Sequence, residues 1–255
     1  MGSRRVRFGW LGVVAVLAVA APAAPQRASS PTTTAVAEGE TGPSLGVPLD
    51  ELPLSEREHV RLVLDRPTLT ARGLAEVFTC RPEHYQWLLD HPDQAVRLWR
   101  CLGIKCADIV DRGGYFTWSD DKGSGMRWQE VYRSPDRRVW YAEGKVNPGF
   151  LLPTASIQAV VVLHYTEGTD AVGRPAMRQQ IELALHAESH LLAAAAKLIG
   201  ASVPHLAQQY VGQIQMFYGA LAWYLNQHPR HAEVLFEQMS KPAATDRTLT
   251  LPAEK

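Results

Sequence analysis

Residues 114–146 read GYFTWSDDKGSGMRWQEVYRSPDRRVWYAEGKV. Large apolar side chains alternate with polar ones in three runs, which are separated by the glycine-rich link Asp120–Gly125 and the proline-containing link Ser134–Asp136. A period of two predicts β-strands, and short links of this composition predict tight turns. Three consecutive strands joined in this way predict an antiparallel meander.

The same alternation continues on both sides of this meander. Ile157–Tyr165 is a valine-dense strand, and Met177–Leu185 follows it after a polar loop. Upstream, Thr68–Phe78 also alternates, and Gly73 is predicted to mark a bulge in it. We therefore expect the strands to form an antiparallel sheet.

Helical periodicity flanks the strands. The longest predicted helix, Val203–His228, carries two adjacent apolar stripes, and such a broad apolar face is typical of a helix that lies against a sheet. The first stripe contains Leu206, Tyr210, Ile214, Phe217, Leu221 and Leu225, and the second contains Met216, Ala220 and Trp223. The other predicted helices are Leu54–Leu64, Arg81–Leu89, Ala95–Leu102, Ser189–Ile199 and His231–Met239.

The element order resembles the helix-grip fold of the START-like superfamily (SRPBCC), which includes lipid-transfer proteins, polyketide cyclases and aromatases. The resemblance rests on element order and on the local sequences YQWLLDHPDQAVRLW, RRVWYAEGKV and AVVVLHY. The matching elements are Thr68–Phe78, Arg81–Leu102, Tyr115–Leu185 and Val203–His228. The predicted fold class is therefore α+β, with a curved antiparallel sheet wrapped around a long C-terminal helix and an extra N-terminal helix.

This resemblance implies a cavity between the sheet and the last helix, in which superfamily members hold apolar molecules. The side chains predicted to line it are Trp118, Trp128, Tyr132, His164, Met216, Phe217 and Trp223. The alternative is that the aromatic side chains among them pack a solid core. The choice between the two strand faces is left open, because a shift of one residue exchanges them. His164 is interpreted either as a hydrogen-bonded core histidine or as a general base.

The first residues resemble an export signal. Arg4, Arg5 and Arg7 precede an apolar run that extends from Trp10 to Ala21, and small residues follow at the spacing of a cleavage site. The predicted organisation is a signal peptide at 1–23, a disordered Pro/Ala/Thr-rich leader at 24–53, a START-like helix-grip domain at 54–240 and a flexible tail at 241–255. An uncleaved membrane anchor is the alternative. We expect a periplasmic or extracellular protein.

Charge and motifs exclude several classes of function. The chain has 26 basic and 26 acidic residues with no long basic run, which argues against nucleic acid as a partner. We find no nucleotide-binding or nucleophile motif and predict no cofactor. His186, Glu188 and His190 have a spacing that could hold a metal ion, but we interpret them as the polar end of a strand and predict no metal site.

The three cysteines leave two alternatives open. Cys101 and Cys106 could form a disulfide in an oxidising compartment, and Cys80 could pair with either of them. The other interpretation is that all three remain thiols. The sequence leaves the choice open, because a disulfide depends on the geometry of the two cysteines.

The sequence as a whole predicts an exported binding or carrier protein for a lipid or another apolar small molecule. One alternative is an interaction module with a solid core. Another is a cyclase-type or hydrolase-type enzyme that uses the same cavity, with His164 or Glu182 as the first catalytic candidates. Transient contact with a membrane is compatible with this prediction, and the oligomeric state is left open.

Overall fold

The computed structural model describes residues 45–147, 154–188 and 202–240. The predicted signal peptide, the leader up to residue 44, the predicted helix at 189–199 and the tail at 241–255 lie outside the described residues. No helix among the described residues combines the length and the apolar composition needed to cross a bilayer.

The described elements confirm most of the predicted order. A short 3-10 helix at Leu49–Glu51 comes first. It lies within the predicted disordered leader, so that prediction is wrong for residues 45–53, where Leu45 and Leu52 are buried. The helices are α1 (Leu54–Asp65), α2 (Pro82–Asp90), α3 (Pro92–Cys101), α4 (Ser202–Gln227) and α5 (Pro229–Ser240). The strands are β1 (Leu69–Arg72), β2 (Glu76–Thr79), β3 (Val110–Asp111), β4 (Phe116–Ser119), β5 (Gly125–Arg133), β6 (Arg137–Val146), β7 (Ala155–Thr169) and β8 (Pro175–Ala187).

The strands form one antiparallel sheet in the order β1-β8-β7-β6-β5-β4-β3, and β2 also pairs with β8. The long helix α4 lies over β1, β2 and β8. This arrangement of a curved open sheet with a long C-terminal helix confirms the predicted α+β class and is consistent with a helix-grip fold. The predicted strand Thr68–Phe78 is present as β1 and β2, which are separated at Gly73.

Two apolar layers cover the sheet, one on each face. We call the face toward α4 the inner face; on β7 it carries Ala159 and Leu163. The outer face carries Val160 and Val162, which pack with α1. The extra N-terminal helix therefore closes the outer face, where it buries the side chains of Val60 and Val63.

Gln215 of α4 fills the gap between β1 and β2. Its side-chain Oε1 accepts a hydrogen bond from the Ile181 N–H at 3.1 Å, and its Nε2 donates to the Leu74 carbonyl at 2.7 Å. A Cβ atom at Gly73 would lie 1.8 Å from the Gln215 Oε1, so the contact requires glycine there. A buried side chain of the helix thus bonds to backbone groups that the interrupted strand leaves unpaired.

Gln179 of β8 extends this hydrogen-bonded contact to α2. Its Nε2 donates to the Gln215 carbonyl at 2.8 Å and to the Glu76 carboxylate at 3.1 Å. Its Oε1 accepts from the Tyr85 hydroxyl at 2.5 Å. Burial raises the pKa of Tyr85 well above its ordinary value, so the hydroxyl remains a donor. Two helices, the strands β2 and β8, and the link between β1 and β2 therefore meet at one buried polar cluster.

Three predicted side-chain orientations are wrong, those of Tyr132, Met216 and Trp223. A bulge between Glu130 and Tyr132 adds one residue to β5, so Tyr132 lies on the outer face, away from Trp128. On α4, Met216 and Trp223 are 50% and 49% exposed, so the second predicted stripe faces away from the sheet. Phe217, in contrast, is buried in the inner-face core.

We expect Gln215→Leu to lower the free energy of unfolding by about 2 kcal/mol, because the buried Ile181 N–H loses its acceptor. Urea unfolding followed by circular dichroism measures the loss. The matched control is Gln208→Leu, at an exposed position on the same helix, which should change stability by less than about 0.5 kcal/mol.

A double-mutant cycle tests the same contact from the sheet side. Gly73→Ala should destabilise the native protein strongly and should cost less in a Gln215→Ala background, where the nearest clashing atoms are absent and only the contact with the Val211 side chain at 2.9 Å remains. Additive effects would contradict a direct contact between the two positions.

Candidate functional site

The inner face has a closed part and a partly exposed part. On β8, Met177, Ile181 and Leu183 are buried under the helices, and Leu221 of α4 is fully buried. Gly219 shows how closely α4 approaches, because a Cβ there would lie 3.3 Å from Phe78. This side of the sheet is packed as a core.

The partly exposed part of the inner face lies on β4, β5 and β6 and is aromatic. We call these side chains the aromatic end; they are Phe116, Trp118, Met126, Trp128 and Trp140. Phe116 and Trp128 stack across neighbouring strands at 5.8 Å between ring centroids, and Trp118 stands opposite Met126. Trp118 is 8% exposed, whereas the other four are half-buried.

Aromatic side chains of the helices belong to the same apolar cluster. Trp99 of α3 lies 5.3 Å from Phe217 of α4, and Phe217 lies 5.2 Å from Tyr218, between ring centroids. Burial raises the pKa of Tyr218, and the carboxylate of Asp93 adds to that shift. The hydroxyl of Tyr218 therefore stays protonated in a mostly apolar setting. Faces of several large rings that meet in this way can hold a flat or chain-like apolar molecule.

A buried arginine lies beside the aromatic end. Arg138 is 1% exposed and contacts Asp90 at 2.5 Å and Glu130 at 3.4 Å. Arg133 pairs with the same two carboxylates. Burial opposes ionisation of Asp90, but hydrogen bonds from Arg138 and Arg133 outweigh it and hold the pKa of Asp90 below its ordinary value. Two cations face two anions, so we interpret the group as an anchor between α2 and the sheet.

His164 and Glu182, the two catalytic candidates, lie on the outer face. Both side chains lie on the same face of the sheet as Val162. The His164 Nε2 lies 4.0 Å from the Glu182 carboxylate, which Arg72 contacts at 3.1 Å. Burial lowers the pKa of His164, an effect that the Glu182 carboxylate partly offsets and Arg137 reinforces. The expectation that this pair serves a cavity between sheet and helix is therefore wrong, because strand alternation places both side chains on the α1 side.

The larger of the two pockets described also differs from the expected cavity. It has a volume of about 670 Å³ and lies where the β4–β5 hairpin meets the start of β7. Its lining includes Arg127, Glu143 and Gln158, which lie on the outer face. Arg127 pairs with Glu143 at 3.5 Å, and Asp120, Lys145 and Glu188 also line this polar groove.

The remaining candidates involve cysteines and metal ligands. Cys80, Cys101 and Cys106 are all in the reduced thiol form, and burial raises their pKa values. The Cys101–Cys106 disulfide thus stays a prediction for an oxidising compartment. Across 45–147, 154–188 and 202–240, His, Cys, Asp and Glu side chains form no group of three that could hold a metal ion. His190 lies outside the described residues.

Five side chains of the inner-face site are absent from the residues predicted to line the cavity: Phe116, Met126, Trp140, Trp99 and Tyr218. Trp140 could have been predicted, because the alternation along β6 places it on the same face of the sheet as Phe116, which lies two strands away on β4. Trp99 and Tyr218 lie on helices, and only tertiary packing brings them to the cluster. Of the predicted residues, the structure places Trp118, Trp128 and Phe217 on the inner side. Whether they contact a ligand stays a prediction.

Comparisons with known proteins give low structural similarity. No protein-family model and no curated protein matches the chain. A conserved protein from Geobacillus kaustophilus covers 58% of this chain and 95% of its own, with 12% identity and a TM-score of 0.36. Norcoclaurine synthase from Thalictrum flavum, solved with dopamine and hydroxybenzaldehyde, aligns over 58% of this chain and 87% of its own, with 11% identity and a TM-score of 0.32. The di-domain ARO/CYC protein BexL aligns over 76% of this chain and 56% of its own, with 13% identity and a TM-score of 0.31. At these values the similarities do not bear on activity or ligand.

We expect Asp90→Asn to destabilise the protein by about 2 kcal/mol at pH 7, because it removes a partner of a buried guanidinium. Since the folded pKa of Asp90 is lowered, its ionisation stabilises the fold above the unfolded pKa of about 3.9. That contribution is lost as pH falls through the folded pKa. The difference between the wild type and the variant should therefore shrink below about pH 4.

Denaturant unfolding at several pH values measures this difference. Asp108→Asn is the matched control, since Asp108 pairs with Arg100 at the surface and is 77% exposed. It should cost less than about 1 kcal/mol. An equal loss of stability in both variants would show that the ion pairs of Arg138 stabilise the fold no more than a surface ion pair does.

Proposed function

We propose that this protein binds an apolar small molecule at the aromatic end of the inner face. One observation carries the proposal: large apolar side chains of β4, β5 and β6 stay half-buried on the face that is otherwise packed as a core. Partly exposed aromatic surface next to a closed core is a feature of ligand sites, which are apolar with a few polar groups.

Binding is favoured over catalysis by the way three buried polar side chains of this face are engaged. Arg138 is balanced by Asp90 and Glu130. Gln179 and Gln215 use their amides to join strands and helices. A general acid or base needs a group that can exchange a proton with the substrate. We therefore propose a carrier or binding role, with lipids as the first class of ligand to examine.

Export of the protein is a second part of the proposal and rests on the sequence alone. The arginines at positions 4, 5 and 7, the apolar run and the small residues after it support cleavage and release from the cytoplasm. In such a compartment lipids are abundant, which fits an apolar ligand.

We expect Trp128→Ala to weaken the binding of the apolar dye Nile red by about tenfold, because an aromatic contact of roughly 1.5 kcal/mol is lost. Tyr132→Ala is the matched control: Tyr132 lies on the same strand but on the outer face, and it should change the affinity less than about twofold. Fluorescence titration measures both, after circular dichroism has shown that both variants are folded. Equal weakening in the two variants would contradict the assigned site.

We expect the chain produced in a Gram-negative bacterial host to appear in the periplasmic extract with its N-terminus after Ala20 or Ala23, as measured by intact mass. Val14→Asp interrupts the apolar run and should keep the full-length chain in the cytoplasm. Full-length wild-type chain in the membrane fraction would instead support the uncleaved anchor.

A further inference from the structure

The side of α4 that faces away from the sheet carries a regular stripe. Its members recur at alternating spacings of four and three residues and are Gln209, Gln213, Met216, Ala220, Trp223 and Gln227. We call them the α4 stripe. Met216 and Trp223 are half-exposed, and the three glutamines are exposed. A spacing of alternately four and three residues is that of a seam along which two helices pack.

The α4 stripe is unusual for a surface because it lacks charge. The whole of Ser202–Gln227 contains no Asp, Glu, Lys or Arg. Exposed faces of helices usually carry charged side chains, so an uncharged face with a half-exposed Trp and Met indicates a contact surface. The small side chain of Ala220 at its centre allows another backbone to approach closely.

We propose that the α4 stripe docks on the α4 stripe of a second copy of this chain, with the two helices antiparallel about a two-fold axis near Ala220. The stripe reads almost the same in both directions from that residue: Met216 and Trp223 flank it, and Gln213 and Gln227 lie beyond them. A two-fold interface pairs a surface with itself, so it requires such self-complementarity and excludes unbalanced charge.

Charge also distinguishes this partner from a membrane. Helices that bind a lipid surface combine an apolar face with Lys and Arg that contact the headgroups. The α4 helix has neither Lys nor Arg, and the glutamines at both ends of the stripe can hydrogen-bond with their counterparts across a helix pair. The stripe faces away from the sheet, so docking there leaves the aromatic end of the inner face uncovered.

The interface should be weak. The stripe spans about 27 Å at 1.5 Å per residue, which is short for a helix pair. A contact of this length buries an area at the low end of the range for specific interfaces. We therefore expect a dimer with a Kd of roughly 1–100 µM. It would form and dissociate over the concentration range that sedimentation measures well.

Sedimentation velocity of the purified protein from about 1 to 300 µM tests the proposal. The wild type should pass from monomer to dimer. Met216→Glu and Trp223→Lys should each remain monomeric, because each places unpaired charges in the contact. An equimolar mixture of the two variants should recover dimer, because the antiparallel geometry brings the carboxylate introduced in one variant beside the ammonium group introduced in the other. The milder Met216→Gln should weaken the dimer, and it replaces any variant that fails to fold.

The control is Val172→Glu, an exposed apolar position in the β7–β8 turn, which should dimerise as the wild type does. A wild type that stays monomeric throughout would overturn the proposal. Recovery with a mixture of Met216→Glu and Met216→Lys, but not with the first mixture, would overturn the antiparallel arrangement. If the monomeric wild type co-sediments with phosphatidylcholine vesicles and Met216→Glu does not, the surface is a membrane contact and the second copy is excluded.

Discussion

The contact of Gln215 with the gap between β1 and β2 determines how the long helix lies on the sheet. A buried amide bonds to the backbone at Ile181 and Leu74, and glycine at position 73 lets the helix approach. Backbone groups that are buried must find partners, so the interrupted strand and the glutamine require each other. With α4 held over β1, β2 and β8, the far end of the inner face remains available to aromatic side chains.

The two faces of the sheet then take different roles. On the outer face, α1 covers valines of β6 and β7 and leaves His164 and Glu182 at the margin of its layer. On the inner face, the Arg138 anchor joins the end of α2 to β5 and β6. The aromatic end is thus bordered by a packed core on one side and by a charge-balanced cluster on the other. This asymmetry supports a binding site in that position.

Much of the fold could be predicted from the sequence because alternation and helical periodicity are local properties. The limits appear at particular residues. Tyr132 was placed wrongly because a bulge adds one residue and exchanges the faces beyond it. Met216 and Trp223 were placed wrongly because α4 is apolar around most of its circumference, so its sequence does not show which stripe meets the sheet. The side of the sheet on which His164 lies could not be predicted, because the sequence does not show which face of the strand α1 covers. The bonds of Gln215 join positions far apart in the chain and leave no local pattern.

Photolabelling with an apolar diazirine probe, followed by peptide mapping, tests the location of the ligand most directly. If the aromatic end is the site, adducts will concentrate on β4, β5 and β6 at Phe116, Met126, Trp128 and Trp140, and excess unlabelled lipid will suppress them. Adducts confined to the outer groove around Arg127 and Gln158, or to Met216 and Trp223 on the exposed side of α4, would contradict a binding site on the inner face.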